Sequence, residues 1–213
     1  AVHGFVMMLL KTVEEEKPEK LAVAFDVHAP TLRAQRYADY KATRKPMPDE
    51  LRAQDPIIRE LIVRMGLPIL EMAGYEADDI LGTVSARCER EDREAVIVTG
   101  DRDSFQLSGE KTTILYTKKG ISDTVRVTPE YIREVYGLEP KQMIDVKGLM
   151  GDASDNIPGV PGVGEKTALK LIAQYGSLEK VLDTADAEQK GRLRERLLEH
   201  RALAELSKEL ATI

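Results

Sequence analysis

The sequence has little of what most redox, zinc and membrane readings require. One cysteine, Cys88, stands among 213 residues, so no internal disulfide can form and a reducing, cytoplasmic setting fits. Three scattered histidines match no zinc spacing, which leaves oxygen ligands for any metal. The longest apolar run, residues 5–10, is far shorter than the roughly 20 residues of a membrane-spanning helix. Nothing at the start reads as a signal peptide. These absences point to a soluble protein with no membrane partner. What is present is an apolar fraction of 42%, enough to bury the core of one large domain or of a domain with a smaller appendage.

The chain opens at Ala1, and Val2, Phe5, Val6, Leu9 and Leu10 already follow helical spacing, so part of the protein is expected to lie upstream. Residues 21–25 form a short β-forming run that ends at Asp26, and residues 95–98 form another that ends before Asp101. Helical periodicity at residues 49–65 and 76–91 lies between them, with a short strand expected at 68–72. This alternation predicts an α/β fold: a central, mostly parallel twisted sheet with helices on both faces. Sites in such sheets form beyond the carboxyl ends of strands, where Asp26 and Asp101 would stand. Residues 29–48 are poor in apolar side chains and mix Arg33, Arg36, Lys41, Arg44 and Lys45 with Tyr37 and Tyr40; composition alone reads this stretch as an exposed, mobile segment. A hairpin is expected over 112–127. The remainder, to about residue 208, reads as helical, with starts at Thr128-Pro129 and Ser177.

Three acidic clusters carry the chemical signal. Glu76, Asp78 and Asp79 open a helix, where the dipole favours negative charge, so plain N-terminal capping would account for them alone. Asp101 and Asp103 follow a strand and would pass as an Asp-rich turn. Asp152 and Asp155 sit in a loop. Taken together with Asp26, so many carboxylates in one cleft would repel strongly unless cations neutralised them. Hard oxygen ligands suit Mg²⁺ or Mn²⁺, and two such ions about 4 Å apart are the usual device for in-line displacement at a phosphodiester. The net charge of −6 argues against a nucleic-acid partner only superficially. Setting these eight carboxylates aside from 37 acids leaves 29 against 31 basic residues.

A second signal lies in Gly159-Val-Pro-Gly162-Val-Gly164-Glu-Lys166-Thr167. Three glycines before a helix N-terminus permit a tight turn whose backbone N–H groups cradle phosphate oxygens. The pattern follows a loop, so it is neither the dinucleotide fingerprint nor a Walker P-loop. A simple turn between helices would account for one glycine more readily than three.

The motifs Gly-Tyr-Glu-Ala-Asp-Asp, Thr-Gly-Asp-Arg-Asp, Gly-Asp-Ala-Ser-Asp-Asn-Ile-Pro with the glycine run, and Tyr-Lys-Ala-Thr-Arg resemble those of the bacterial 5′-3′ exonuclease domain, above all the amino-terminal nuclease of DNA polymerase I, and more distantly those of flap endonucleases. The resemblance covers essentially the whole chain. It implies a metal-dependent 5′ nuclease acting on nicked, flapped or branched DNA in replication and repair. By motif, Asp26, Glu76, Asp78 and Asp79 would serve a first metal region and Asp101, Asp103, Asp152 and Asp155 a second. Lys41 and Arg44 would contact the scissile phosphate. Arg33, Arg36, Tyr37 and Tyr40 would belong to a helical arch, at about 29–48, that passes a single-stranded 5′ end. Gly159, Gly162, Gly164, Lys166 and Thr167 would form a helix-hairpin-helix element within about 140–175 that grips the duplex backbone and takes a monovalent cation such as K⁺. The implied division is an α/β core over 1–127 and a helical region over 128–213, in a protein expected to be monomeric.

The family carries a first strand with a further metal-ligand aspartate ahead of Val2, and this chain does not contain it. The competing expectation is therefore a branched-DNA binding module that cuts poorly. A ribonuclease of the PIN type, by fold analogy alone, would not be expected to carry the glycine hairpin.

Overall fold

A computed structural model describes residues 1–119 and 123–213. The chain begins with α1 (Val2–Glu16), which ends on Lys17 in the left-handed conformation and packs on α4 (Asp55–Arg64). Residues 49–65 are not one helix. They divide into α3 (Asp49–Arg52) and α4, with Pro56 in the first turn of α4, the position where a residue without an N–H is tolerated. Between α1 and α3 come β1 (Val23–Ala24) and the short α2 (Leu32–Arg36).

β1 pairs in parallel with β2 (Ile69–Leu70), Val23 opposite Ile69. β3 (Ala95–Thr99) pairs in parallel with β4 (Thr112–Lys119), and β4 pairs antiparallel with β5 (Asp123–Val127). The strand pairing is thus mostly parallel, as expected, but its hydrogen bonding is in two pieces, β1–β2 and β3–β4–β5. α5 (Ala77–Arg90) bridges them, packing against β1, β3 and β4. The β4–β5 pairing matches the expected hairpin; its turn residues, 120–122, lie outside the described residues.

The helical remainder comprises α6 (Pro129–Tyr136), α7 (Gln142–Met150), α8 (Glu165–Tyr175), α9 (Leu178–Glu188), α10 (Gly191–Glu199) and α11 (Arg201–Ala211). Thr128 and Ser177 cap α6 and α9, each accepting from the N–H three residues on. Two large apolar clusters result. One joins Ile97, Phe105, Ile114, Val127 and Ile132 around β3–β5. The other joins α7 to α11 through residues such as Leu149, Ile172, Leu178 and Leu197. A third, smaller cluster brings Tyr40, Ile157, Leu210 and Ala211 together under the segment before α3.

Candidate active site

The site forms where chain-distant elements end. Asp26 follows β1 and accepts the Ala77 N–H at 2.7 Å, tying the strand end to the first turn of α5. At that turn Asp79 accepts the Glu76 N–H at 2.9 Å, half of a capping-box exchange. After β3, Asp101 caps a 3-10 helix (Arg102–Leu107) by accepting the Asp103 N–H at 2.9 Å. Past α7, Gly151 and Gly159 have positive φ and lie so close that a Cβ on Gly159 would fall 2.2 Å from the Gly151 nitrogen. That close approach, with the paired backbone bonds between Asp152 and Ile157 at 2.8 Å, folds the Asp152–Asp155 loop back toward the other acids.

Asp26, Glu76, Asp78, Asp101, Asp103 and Asp155 line one cleft, shared with Tyr40, Lys41 and Arg44. Two of the eight expected acids are placed differently. Asp79 faces the adjoining groove and is gripped by Arg33. Asp152 does not line the cleft and is tied to Asp103 through Lys147. Lys41 contacts Glu76, Arg44 contacts Asp155, and the Tyr40 hydroxyl donates to Glu76 at 2.9 Å and stands 3.2 Å from Asp155.

Electrostatics marks the cleft as short of positive charge. Burial, reinforced by the charges of Asp101 and Asp26, pushes the Asp78 carboxyl up to about 6. Burial also raises Asp103, with Lys147 opposing and Asp101 and Asp152 adding to it. Burial would raise Asp79 too, but its hydrogen bonds to Arg33 and to the Glu76 backbone outweigh it and hold the carboxyl below its ordinary range. The Tyr40 hydroxyl is driven up by burial, then by Glu76 and Asp155. Among the described residues no three acidic side chains stand close enough to enclose an ion unaided. Lysine and arginine ammonium and guanidinium groups instead lie against them. The donor set is all hard oxygen and fits Mg²⁺ or Mn²⁺ in kind.

Most of the segment over residues 29–48 is exposed, as its composition implies, but at Tyr40 it is fastened to the loop that carries Asp155. Tyr40 is 7% exposed, the Lys41 N–H donates to the Asp155 carbonyl at 2.8 Å, and the Asn156 side chain donates to the Asp39 carbonyl at 2.7 Å. Lys41 adopts φ 58°, an unusual conformation for a side chain of its kind. Burial of one aromatic and these loop-to-loop bonds anchor an otherwise exposed stretch. Tyr40 therefore offers no open ring for a base. Tyr37 is half-buried against the same cluster, and Arg36 is exposed and paired with Glu209 at 2.9 Å.

Of the hairpin residues, Gly159 is buried, its N–H donating to Ser207 Oγ at 2.9 Å. Gly162, Gly164 and Lys166 are exposed and Thr167 half-buried. Gly162 has φ 78°, and its carbonyl accepts from Arg196. Gly164 precedes α8 with no side-chain cap, leaving the first N–H groups of that helix open. Sequence reasoning missed Lys147, the single basic residue of α7, five residues before Asp152; a long cation on a half-buried helix whose neighbours are mostly apolar was the only available signal. It also missed Gln106 and the chain end at Leu210–Ile213, which no local pattern marks.

The family described as “5′-3′ exonuclease, N-terminal resolvase-like domain” matches residues 1–137, and “5′-3′ exonuclease, C-terminal SAM fold” matches residues 138–213. DNA polymerase I of Bacillus caldotenax is 50% identical over the whole chain, and that of Bacillus subtilis (strain 168) is 49% identical. The chain spans 24% of the length of either relative. Among solved structures, T5 5′-exonuclease with bound zinc ions superposes with a TM-score of 0.81 at 20% identity, covering 99% of this chain and 80% of that one. The catalytic core of Rad2 in complex with DNA substrate superposes at 0.56 and 23% identity, covering 96% and 65%. At these identities the structural likeness speaks for the fold.

Proposed function

The chain belongs to the 5′-3′ exonuclease family, and from that membership we propose that it is the 5′ nuclease module of a bacterial DNA polymerase I, hydrolysing phosphodiester bonds near the 5′ end of nicked, flapped or branched DNA. The observation that carries this reading is the convergence of six carboxylates on one cleft with Lys41 and Arg44 at its side.

Two divalent cations, Mg²⁺ or Mn²⁺, would supply the chemistry of lowering the pKa of the attacking water and neutralising the leaving oxygen. Asp26, Glu76 and Asp78 would hold one and Asp101, Asp103 and Asp155 the other, with Asp152 acting through Lys147. Lys41 and Arg44, which lie on Glu76 and Asp155 in the free protein, would turn to the scissile phosphate once those carboxylates are otherwise neutralised. Tyr40 anchors the segment that carries them. The exposed turn at Gly162 and Gly164, the open N-terminus of α8, Lys166 and Thr167 would hold a duplex phosphate backbone without reading sequence, and the hairpin carbonyls would accept K⁺. In this reading residues 1–127 form the nuclease core, the turn between α7 and α8 is the helix-hairpin-helix element, and the module works as a monomer in the cytoplasm during replication and repair.

The experiment is cleavage of a 5′-labelled flap duplex by this polypeptide in Mg²⁺ and in EDTA. Release of short labelled products in Mg²⁺ alone is the expected result; cutting that survives EDTA, or none in either, would overturn the proposal.

A further inference from the structure

Arg33 sits in α2 among the basic residues that the sequence offers to DNA, yet its side chain is only 14% exposed. Its Nε donates to the Leu210 carbonyl at 2.9 Å. Nη1 donates to Glu76 at 3.1 Å and Asp79 at 2.8 Å, and Nη2 to Asp79 and to the Thr212 carbonyl, both at 2.6 Å. A guanidinium has five N–H donors, and all are engaged inside the protein. None is left for a phosphate.

The same stretch of chain is held from its other side. Gln106, on the 3-10 helix that carries Asp103, donates to the Ala211 carbonyl and accepts the Ile213 N–H, each at 2.9 Å. The Ile213 side chain covers Gly82 of α5, where a Cβ would come within 2.8 Å of it. Leu210 and Ala211 are buried with Tyr40 and Ile157. The strap 210–213 is thus fastened to α2, to α5 and to the 3-10 helix, the last two being the elements that carry Asp78 and Asp103.

We propose that Arg33, Gln106 and the strap 210–213 form the frame that positions the acidic cleft. The Arg33 fork fixes Glu76 and Asp79, Gln106 fixes the helix bearing Asp103, and the strap joins the two. Asp79, which lines the adjoining groove and not the cleft and is held by Arg33 and the Glu76 N–H, is a positioning residue of this frame and not a metal ligand. The inference rests on reading the cleft as a metal centre. Groups that orient metal ligands are worth about 10–100-fold in metal affinity.

Two variants test it. Arg33→Lys keeps the charge and removes the fork; Gln106→Glu keeps the shape and turns a carboxylate toward the Ala211 carbonyl. Both are compared with wild type for Mn²⁺ binding, read from the electron paramagnetic resonance of the free ion, and for thermal unfolding. The expected result is a roughly ten-fold or greater loss of Mn²⁺ affinity at temperatures where both variants are folded, which a merely structural role would not produce. Folded variants that bind Mn²⁺ as wild type does overturn the proposal. If one variant fails to fold the other decides, and if neither folds the role is structural only and the proposal is overturned. A wild-type protein that binds no Mn²⁺ overturns the metal-centre reading itself, and the frame with it.

Discussion

The Lys147 ammonium lies 2.8 Å from the Asp103 carboxylate. It also contacts Asp152, so one cation from α7 joins an acid of the 3-10 helix to an acid of the loop after α7. Burial alone would lower the lysine, but the two carboxylates outweigh it and raise it above its ordinary value.

Lys147→Met should therefore destabilise the metal-free protein by about 1–3 kcal/mol, less than the loss of a fully buried pair because these side chains keep some solvent contact. Mg²⁺ should shrink the deficit by taking over neutralisation. Urea unfolding in EDTA and in Mg²⁺ reads both effects, and a deficit that Mg²⁺ leaves unchanged would count against a cation site at Asp103.

The metal-free protein should lose stability as pH rises from about 4 to 6. Asp78, raised to about 6 in the fold, keeps its proton there while the unfolded chain loses it near pH 4. The folded state binds more protons across that window, so unfolding becomes easier with rising pH, and Asp103 is shifted in the same direction. Asp79 and Asp152, held below their ordinary values, act with the opposite sign and only below about pH 4. Asp78→Asn should flatten the decline between pH 4 and 6 measured in EDTA; an unchanged slope would show that Asp78 is not its source.

The parts of this arrangement visible in the sequence are those set by neighbours along the chain. Asp26 and Asp101 follow apolar runs, so their place at strand ends could be read directly, and Thr128, Ser177 and the acids opening α5 are local helix signals. Pro56 marked the break between α3 and α4 that periodicity alone joined. What could not be read depends on residues far apart in the chain. Arg33 reaches Glu76 and Asp79 some 43 and 46 positions away, and Leu210 and Thr212 at 177 and 179, so a basic residue in a polar stretch looked like a surface contact. Tyr40 was misjudged for the same reason, since its partners Glu76 and Asp155 are 36 and 115 positions distant.

Within the glycine turn Gly159 and Gly164 should differ in what they tolerate. Gly159→Ala places a Cβ 2.2 Å from a backbone nitrogen at φ 63° and should lower stability by about 2–4 kcal/mol, combining overlap with left-handed strain. Gly164→Ala meets nothing within 4 Å and should cost at most about 1 kcal/mol, the disadvantage of alanine against glycine at the N-cap of α8. Chemical unfolding of the two variants distinguishes them, and equal losses would contradict the packing described for Gly159.

Lys41→Ala should slow cleavage strongly while leaving flap-DNA affinity within a few-fold, because one phosphate contact is a small part of backbone binding. Binding by fluorescence anisotropy in Ca²⁺ and single-turnover cutting in Mg²⁺ separate the two quantities. A loss confined to affinity would assign Lys41 to general DNA attraction.

The central claim, that these carboxylates form a metal-dependent nuclease site, is tested most directly by the single-turnover rate of Asp103→Asn on a 5′-flap duplex in Mg²⁺, with DNA saturated by protein. The expected result is a fall of at least 10²-fold, the scale of losing one group that stabilises developing charge, with flap binding intact. Cutting by Asp103→Asn at the wild-type rate would contradict the claim.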